Sequence, residues 1–266
     1  MATRTKWTRY ELLVALNLYH KLTFGQMYAR QPAIVEVAQK LHRSANSLAM
    51  KLCNFASLDP ALKLRGIKGL VGASRLDVSM WEEFHADLNQ MAPASEEAFR
   101  TLFHASEDVD LEVLPKTGVV TLRRPPSGPS VISANVMIRR GQDYFRQSVL
   151  NNFGGCCGVS QLAVRELLVA SHILPWSSYP AERLNVRNGL CLSSLHDAAF
   201  DRGLIAFDDN LRLVLSRRLR HELADAVVEE YFGKYSGQTL HLPEDAALPN
   251  LDFLANHRRV IFDQAA

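Results

Sequence analysis

The chain has 266 residues and lacks several features that mark other classes of protein. No run of eighteen apolar residues occurs, so we expect no transmembrane helix. The start of the chain, residues 1–10, is basic and polar and has neither the apolar centre nor the cleavage site of a signal peptide. Four cysteines are too few for a disulfide framework in a chain of this length. These absences together predict a cytoplasmic protein.

The cysteines also exclude one kind of metal site. No Cys-x-x-Cys pair is present, so a zinc site built from four cysteines is excluded. We expect Cys157 and Cys191 to pack as small apolar residues beside strands. Apolar residues make up 47% of the chain, enough for a packed core and for two modest domains.

The net charge of +2 is unevenly distributed along the chain. Residues 1–80 contain twelve Lys and Arg and only four acids, whereas residues 81–112 contain nine acids and one Arg. A basic block of this kind indicates a polyanionic partner such as nucleic acid. A solvated basic face with no partner explains the charge equally well.

The pattern of apolar residues predicts a helical region over residues 1–105. Helical spacing begins at Tyr10, with Thr8 as the cap and Glu11 completing a capping box. A second helix is predicted over 34–41, and Ser44 is placed to cap a third over 45–55. The two later helices, joined by a short turn, are typical of a helix-turn-helix.

The rest of the chain is predicted as a linker followed by a mixed domain. Residues 106–137 are acidic and then rich in Pro, Gly and Ser, although a strand can form over 115–124. Residues 138–266 form the second domain, starting with a helix over 139–151. A hairpin over 203–215 and a helix over 217–232 are predicted, and residues 237–266 are expected to pack back onto the domain.

The most informative residues lie in order within a strand–loop–strand–helix pattern. An apolar run ends in Ser171-His172-Ile173-Leu174-Pro175, Asn188 precedes a second apolar run, and His196 follows it. Phe200-Asp201-Arg202-Gly203 comes directly after. This set resembles the HNH nuclease motif, carried on the ββα-metal fold, over about residues 139–216. The resemblance implies an α+β chain with a helical N-terminal domain and a C-terminal HNH domain.

The resemblance implies a role for each residue of the motif. His172 is the general base, a task that suits an imidazole near neutral pH. Asn188 fixes the loop, orients the base or reaches the metal. His196 ligates a divalent metal ion, Mg²⁺ or Mn²⁺, with Asp201 as a further ligand. Asp197 is a further candidate or simply an acid at a helix start, and Asp201 can instead pair with Arg202.

One position departs from the family pattern. Many HNH nucleases have Asp or His directly before the base, and this chain has Ser171, a poorer ligand for a hard cation. Weak metal binding, another ligand or an inactive site all remain open. Taken singly, each of these histidines is an ordinary core residue, and only their ordered set predicts a nuclease.

The N-terminal helices resemble Myb-like and other tri-helical DNA-binding units, starting at Trp7-Thr8. Asn and Lys side chains on the third helix can read bases or bind phosphate. A plain helical bundle is the alternative. The side chains predicted to contact DNA across the chain are Arg43, Asn46, Lys51, Arg139, Arg140 and Arg217.

The sequence therefore predicts a metal-dependent endonuclease acting on double-stranded DNA, in restriction, defence or a mobile element. The alternative is a DNA-binding regulator with an inactive HNH scaffold. One active site cuts one strand, so a homodimer is the simplest arrangement for double-strand cleavage. The apolar tail is a candidate interface, or it packs within its own domain; its residues are Leu251, Phe253, Leu254, Val260 and Ile261.

Overall fold

A computed structural model describes residues 6–70, 72–106, 109–123 and 134–262 of the chain. The chain divides into two compact units, residues 1–151 and 152–266. No helix in the described ranges is both long enough and apolar enough to cross a bilayer.

The first unit is helical, as predicted for its first hundred residues. Thr8 and Glu11 form the expected capping box, with the Glu11 carboxylate 2.7 Å from the Thr8 amide. Ser44 caps the third helix by accepting from the Ser47 amide. The helices are α1 (Arg9–His20), α2 (Pro32–Lys40), α3 (Ala45–Ala56), α4 (Pro60–Leu64), α5 (Arg75–Ala86), α6 (Leu88–Leu102) and α7 (Ala134–Asn152).

The core of the first unit forms around α1, which packs against α3, α5 and α6. Its residues from Val14 to Tyr19 and Leu12 are all buried, so that α1 is covered on most of its sides. A buried ion pair joins Lys21 to Glu96 at 2.6 Å within the same core. The α2–α3 pair has the order of a helix-turn-helix, and its binding to DNA stays a prediction.

Residues 106–137, predicted as a linker, contain ordered structure where they are described. Strand β1 (Val109–Leu114) pairs with β2 (Gly118–Arg123) in an antiparallel hairpin. Its inward residues Leu111 and Val113 are buried, and Gln147 of α7 bonds to the backbone of both. Alternating apolar residues in an acidic stretch thus form a half-buried strand. The division between the compact units falls at residue 151, well after this hairpin.

The second unit is built on three short elements in the predicted order. Strand β3 (Leu168–His172) pairs antiparallel with β4 (Gly189–Ser193), so that His172 lies opposite Gly189. Helix α8 (Ser194–Asp201) follows at once, capped by Ser193, and packs on both strands. The predicted second hairpin is confirmed as β5 (Ile205–Phe207) with β6 (Leu213–Leu215).

The end of the chain differs from the prediction in one respect. The single helix expected over 217–232 is wrong, because the chain turns after α9 (Arg217–His221) and Asp225 caps a new helix, α10 (Ala226–Tyr231). The tail does pack back onto its own unit. In helix α11 (Leu251–His257), the His257 ring stacks on Phe200 with 3.7 Å between ring centroids.

Candidate active site

His172 lies at the end of β3, where the strand leaves the hairpin for the loop that leads to β4. Its Nε2 atom is 2.8 Å from the carbonyl oxygen of Arg183. A carbonyl only accepts, so Nε2 carries the hydrogen and donates it. The lone pair is therefore on Nδ1, the nitrogen that can take a proton.

The surroundings keep the His172 ring neutral near pH 7. Burial lowers the pKa of His172 below its ordinary value, while the Arg183 carbonyl and the negative charge of Asp197 oppose that shift. The edge of the ring faces Trp176, with 5.3 Å between centroids. A neutral, half-buried imidazole whose Nε2 is held by a backbone carbonyl is suited to general-base chemistry.

Asn188 ties the two ends of the loop together. Its side-chain oxygen accepts from the Leu174 amide at 2.8 Å, and its side-chain nitrogen donates to the Glu182 carbonyl at 3.0 Å. The residue is only 1% exposed. Of the three roles that the resemblance allowed, these contacts fit the fixing of the loop, and through the neighbouring Arg183 carbonyl they support His172.

Arg183 is a part of the site that the sequence did not point to. Its Nε donates to the Trp176 carbonyl at 2.7 Å, and its guanidinium lies over the Trp176 ring, 5.0 Å from the centroid. Its own carbonyl holds His172. The contribution to His172 comes from backbone, which any residue type carries, so no side-chain pattern could have revealed it.

His196 is buried at the start of α8. The residue is 2% exposed, and its Nδ1 accepts from the Ser193 hydroxyl at 2.7 Å. Its Nε2 donates to the Tyr231 carbonyl at 2.9 Å. Its ring also packs edge-on against Phe232 and Tyr235. Both nitrogens have partners within the core, and the role of His196 as a metal ligand stays a prediction.

A cysteine next to His196 reinforces this core role. The Cys157 sulfur lies 3.7 Å from His196 Nδ1. Cys157 and Cys191 are both fully buried, in agreement with the prediction that they pack beside the strands.

Helix α8 also carries two carboxylates. Asp197 and Asp201 are four residues apart, hence on one face of the helix. Asp197 acts electrostatically on His172, and burial together with the Asp197 charge raises the pKa of Asp201. Carboxylate oxygens are good ligands for a hard divalent cation. Asp197 and Asp201 are therefore candidate ligands.

Ser171 cannot serve as a ligand in this arrangement. It is 2% exposed, and its hydroxyl has no hydrogen-bond partner among the described residues. Successive strand residues face opposite sides, so Ser171 turns away from the side of His172. Within the described ranges, no group of three His, Cys, Asp or Glu side chains is assembled for a metal.

Three of the residues predicted to contact DNA are engaged within the first unit. Arg43 pairs with Glu11 at 2.7 Å, Lys51 is buried and pairs with Asp77 at 2.7 Å, and the buried Arg140 pairs with Glu97 at 2.8 Å. These three charges have partners within the fold, and their contact with DNA stays a prediction. The other three predicted residues lie at least partly at the surface, with Asn46 and Arg217 exposed and Arg139 half-buried.

Comparison with protein families agrees with this geometry. The model of a family described as HNH endonuclease matches residues 157–208, which include β3, the loop, β4 and α8. A search of curated proteins found no match to the chain. The chain therefore carries an HNH endonuclease domain at residues 157–208.

Proposed function

We propose that the chain is a metal-dependent endonuclease that hydrolyses phosphodiester bonds of double-stranded DNA. The observation that carries the proposal is the bond from His172 Nε2 to the Arg183 carbonyl. It holds the neutral ring as the Nε2–H tautomer, in which Nδ1 is the basic nitrogen, the form that a general base needs to take a proton from water. Arg183, held over Trp176, adds a positive charge close to His172 that can attract a phosphate.

The cofactor that fits is a divalent ion, Mg²⁺ or Mn²⁺, held by Asp197 and Asp201. When bound, such an ion neutralises the charge on the phosphate and the leaving oxygen. The choice of these two carboxylates over His196 rests on the hydrogen bonds of His196 to Ser193 and Tyr231. Asn188 acts as a positioning residue through the loop that it closes.

The biological setting that we propose is restriction or defence against foreign DNA, or a mobile element. A homodimer would supply one active site for each strand. Of the tail residues, Leu254 is buried in its own unit, whereas Leu251 and Val260 are exposed. Light scattering with and without duplex DNA tests the dimer, and a strict monomer that only nicks would contradict it.

A regulator with an inactive HNH scaffold is the second candidate. The buried Ser171, at the place where many relatives have a ligand, favours it. The two candidates differ in one measurable property. A regulator binds DNA and leaves it intact, whereas an endonuclease converts supercoiled plasmid to nicked or linear forms.

The test is a plasmid-nicking assay of the full chain with Mg²⁺, with Mn²⁺ and with EDTA. His172→Ala should lower the rate by roughly 10²–10⁴-fold, the usual effect of losing a general base. The matched control is His241→Ala, an exposed histidine of the same unit that should retain the wild-type rate. Cleavage at the wild-type rate by a folded His172→Ala variant would contradict the assignment. Intact plasmid under every metal condition would favour the regulator.

A further inference from the structure

Residues 60–75, which run from the start of α4 to the first residue of α5 and follow the capping residue Asp59, have an unusual charge. We call this stretch the basic loop. It contains Lys63, Arg65, Lys68 and Arg75 and no acid at all. It begins with the short helix α4, and residue 71 within it lies outside the described ranges. No other segment of the first unit carries four positive charges in sixteen residues without a carboxylate.

Three of these cations are exposed and available to a partner. Lys63, Lys68 and Arg75 are all exposed, and none of them forms an ion pair with a residue that the structure describes. This contrasts with the Lys51 and Arg43 side chains, whose charges are matched by acids of the fold. Like charges gathered at a surface repel one another and are stabilised by a polyanion.

Two of these cations, Lys63 and Lys68, line a groove. It has a volume of about 600 Å³, and its lining includes Ser57, Lys63, Gly66, Ile67, Lys68 and Gly72. Gly66 and Gly72 have positive φ angles of 75° and 137°, and a Cβ at either position would meet nothing within 4 Å. The backbone of the groove is therefore uncovered at both glycines, so a phosphate group can approach it closely.

Apolar side chains surround the charge. Leu64 is 86% exposed, and Leu70 and Leu76 are also exposed. The cations, rather than these leucines, match duplex DNA, which presents a phosphate at every nucleotide of each strand. Positively charged residues beside the phosphates fix a protein on the backbone.

We propose that the basic loop, and not the third helix of the helix-turn-helix-like region, is the main DNA-contacting surface of the first unit. It binds the phosphodiester backbone of duplex DNA through Lys63, Lys68 and Arg75. The inference rests on the proposed endonuclease function, which makes DNA the partner rather than an anionic membrane. It predicts binding without base recognition at these three side chains, because they read charge alone.

The test measures duplex DNA binding by fluorescence anisotropy over a range of salt concentrations, with the full chain in a His172→Ala background. The variant Lys63→Ala/Lys68→Ala/Arg75→Ala should weaken binding on the order of 10²-fold at 0.1 M salt and reduce the salt slope by about 2.7, if each side chain neutralises one phosphate. The matched control removes three exposed cations elsewhere in the unit, Arg30→Ala/Lys40→Ala/Lys116→Ala, and should keep the slope. Lys63→Arg/Lys68→Arg/Arg75→Lys keeps the charge and should restore binding.

Each other outcome overturns the inference in a distinguishable way. An unchanged slope in the loop variant, with plasmid nicking by the wild-type chain intact, refutes the basic loop and leaves the endonuclease proposal standing. Equal losses in the loop and control variants show a general charge effect and also refute it. Tighter loop-dependent binding to phosphatidylserine vesicles than to DNA assigns the surface to a membrane. Absence of both nicking and DNA binding in the wild-type chain refutes the proposed function itself.

Discussion

The imidazole of His172 is held by a backbone group, the carbonyl oxygen of Arg183, at 2.8 Å from Nε2. Arg183 directly follows Glu182 in the chain. The carbonyl oxygen of Glu182 accepts a hydrogen bond from the Asn188 side chain. The base is thus aligned by a loop, and the loop is closed by Asn188. Positioning by backbone leaves the side chain of Arg183 available for other contacts.

Substitution of Asn188 tests whether this residue aligns His172 or only stabilises the fold. Asn188→Ala removes two buried hydrogen bonds, at about 1–3 kcal/mol for each partner left unsatisfied. Because the Arg183 carbonyl then shifts, we expect cleavage to fall by up to about 10²-fold, the scale of a 1 Å misplacement. The ¹⁵N shifts of the His172 ring should also report a loss of the Nε2–H tautomer.

The matched comparison for this residue is Asn188→Asp. It keeps the oxygen that accepts from Leu174 and loses the donor to Glu182. Its His172 tautomer should therefore be lost as in the alanine variant, although the Leu174 contact remains. A wild-type His172 spectrum in both variants would show that Asn188 only stabilises the fold.

The metal requirement should depend on Asp197 and Asp201 rather than on His196. Asp197→Asn and Asp201→Asn should each raise the Mn²⁺ concentration for half-maximal nicking by at least about tenfold, since even residues that only support ligands have effects of that size. His196→Gln should leave that concentration unchanged and lower the melting temperature, because its two core hydrogen bonds are lost. If His196→Gln raised this Mn²⁺ concentration and the two Asp variants did not, His196 would be the ligand.

The pKa of His172 should respond to the charge of Asp197. That charge raises the pKa of His172 against the larger lowering by burial, so Asp197→Asn should lower it further. Proton NMR titration of the metal-free chain measures this shift directly, with Glu166→Gln, an exposed acid of the same unit, as the control. A protonated His172 cannot accept a proton, so the acidic limb of the cleavage profile follows its pKa. If His172 had the same pKa in the wild type and in Asp197→Asn, the charge of Asp197 would not act on His172.

The sequence predicted the elements of the site, but it could not predict which side chains of α8 face His172. His172 at a strand end and Asn188 before the next strand follow from an ordered motif with apolar runs. His196 and Asp197 are neighbours on α8, and a helix turns by about 100° per residue. Whether the histidine or the carboxylate faces His172 depends on the packing of Tyr231 and Phe232, which lie more than thirty residues away.

The sequence also predicted only part of the charge distribution in the first unit. Counting Lys and Arg correctly identified a basic region, but it could not tell which cations have partners. Lys51 and Asp77 are 26 residues apart, and their pairing comes from the packing of α3 on α5. The basic loop looked like an ordinary connection in the sequence, and its importance became visible only from the exposure of Lys63, Lys68 and Arg75.

His257 connects the tail to the end of the HNH helix. Its Nε2 donates to the Phe200 carbonyl at 3.0 Å, and its ring stacks on Phe200. Burial lowers the pKa of His257 to about 4, and the Arg258 charge adds to that shift while the Phe200 carbonyl opposes it. The unfolded chain takes up this proton near the ordinary value of about 6.5. Stability should therefore be fully present above about pH 6.5 and be lost as the pH falls toward about 4.

The size of this loss follows from the two pKa values. A difference of about 2.5 units corresponds to about 3 kcal/mol of unfolding free energy. His257→Phe keeps the ring stack and removes the titrating group, so urea unfolding of this variant should depend less on pH between 7 and 4.5 than that of the wild type. The control is His241→Phe, an exposed histidine whose replacement should leave the pH dependence unchanged. If His257→Phe and the wild type lost the same stability on acidification, the acid sensitivity would have to arise from other groups.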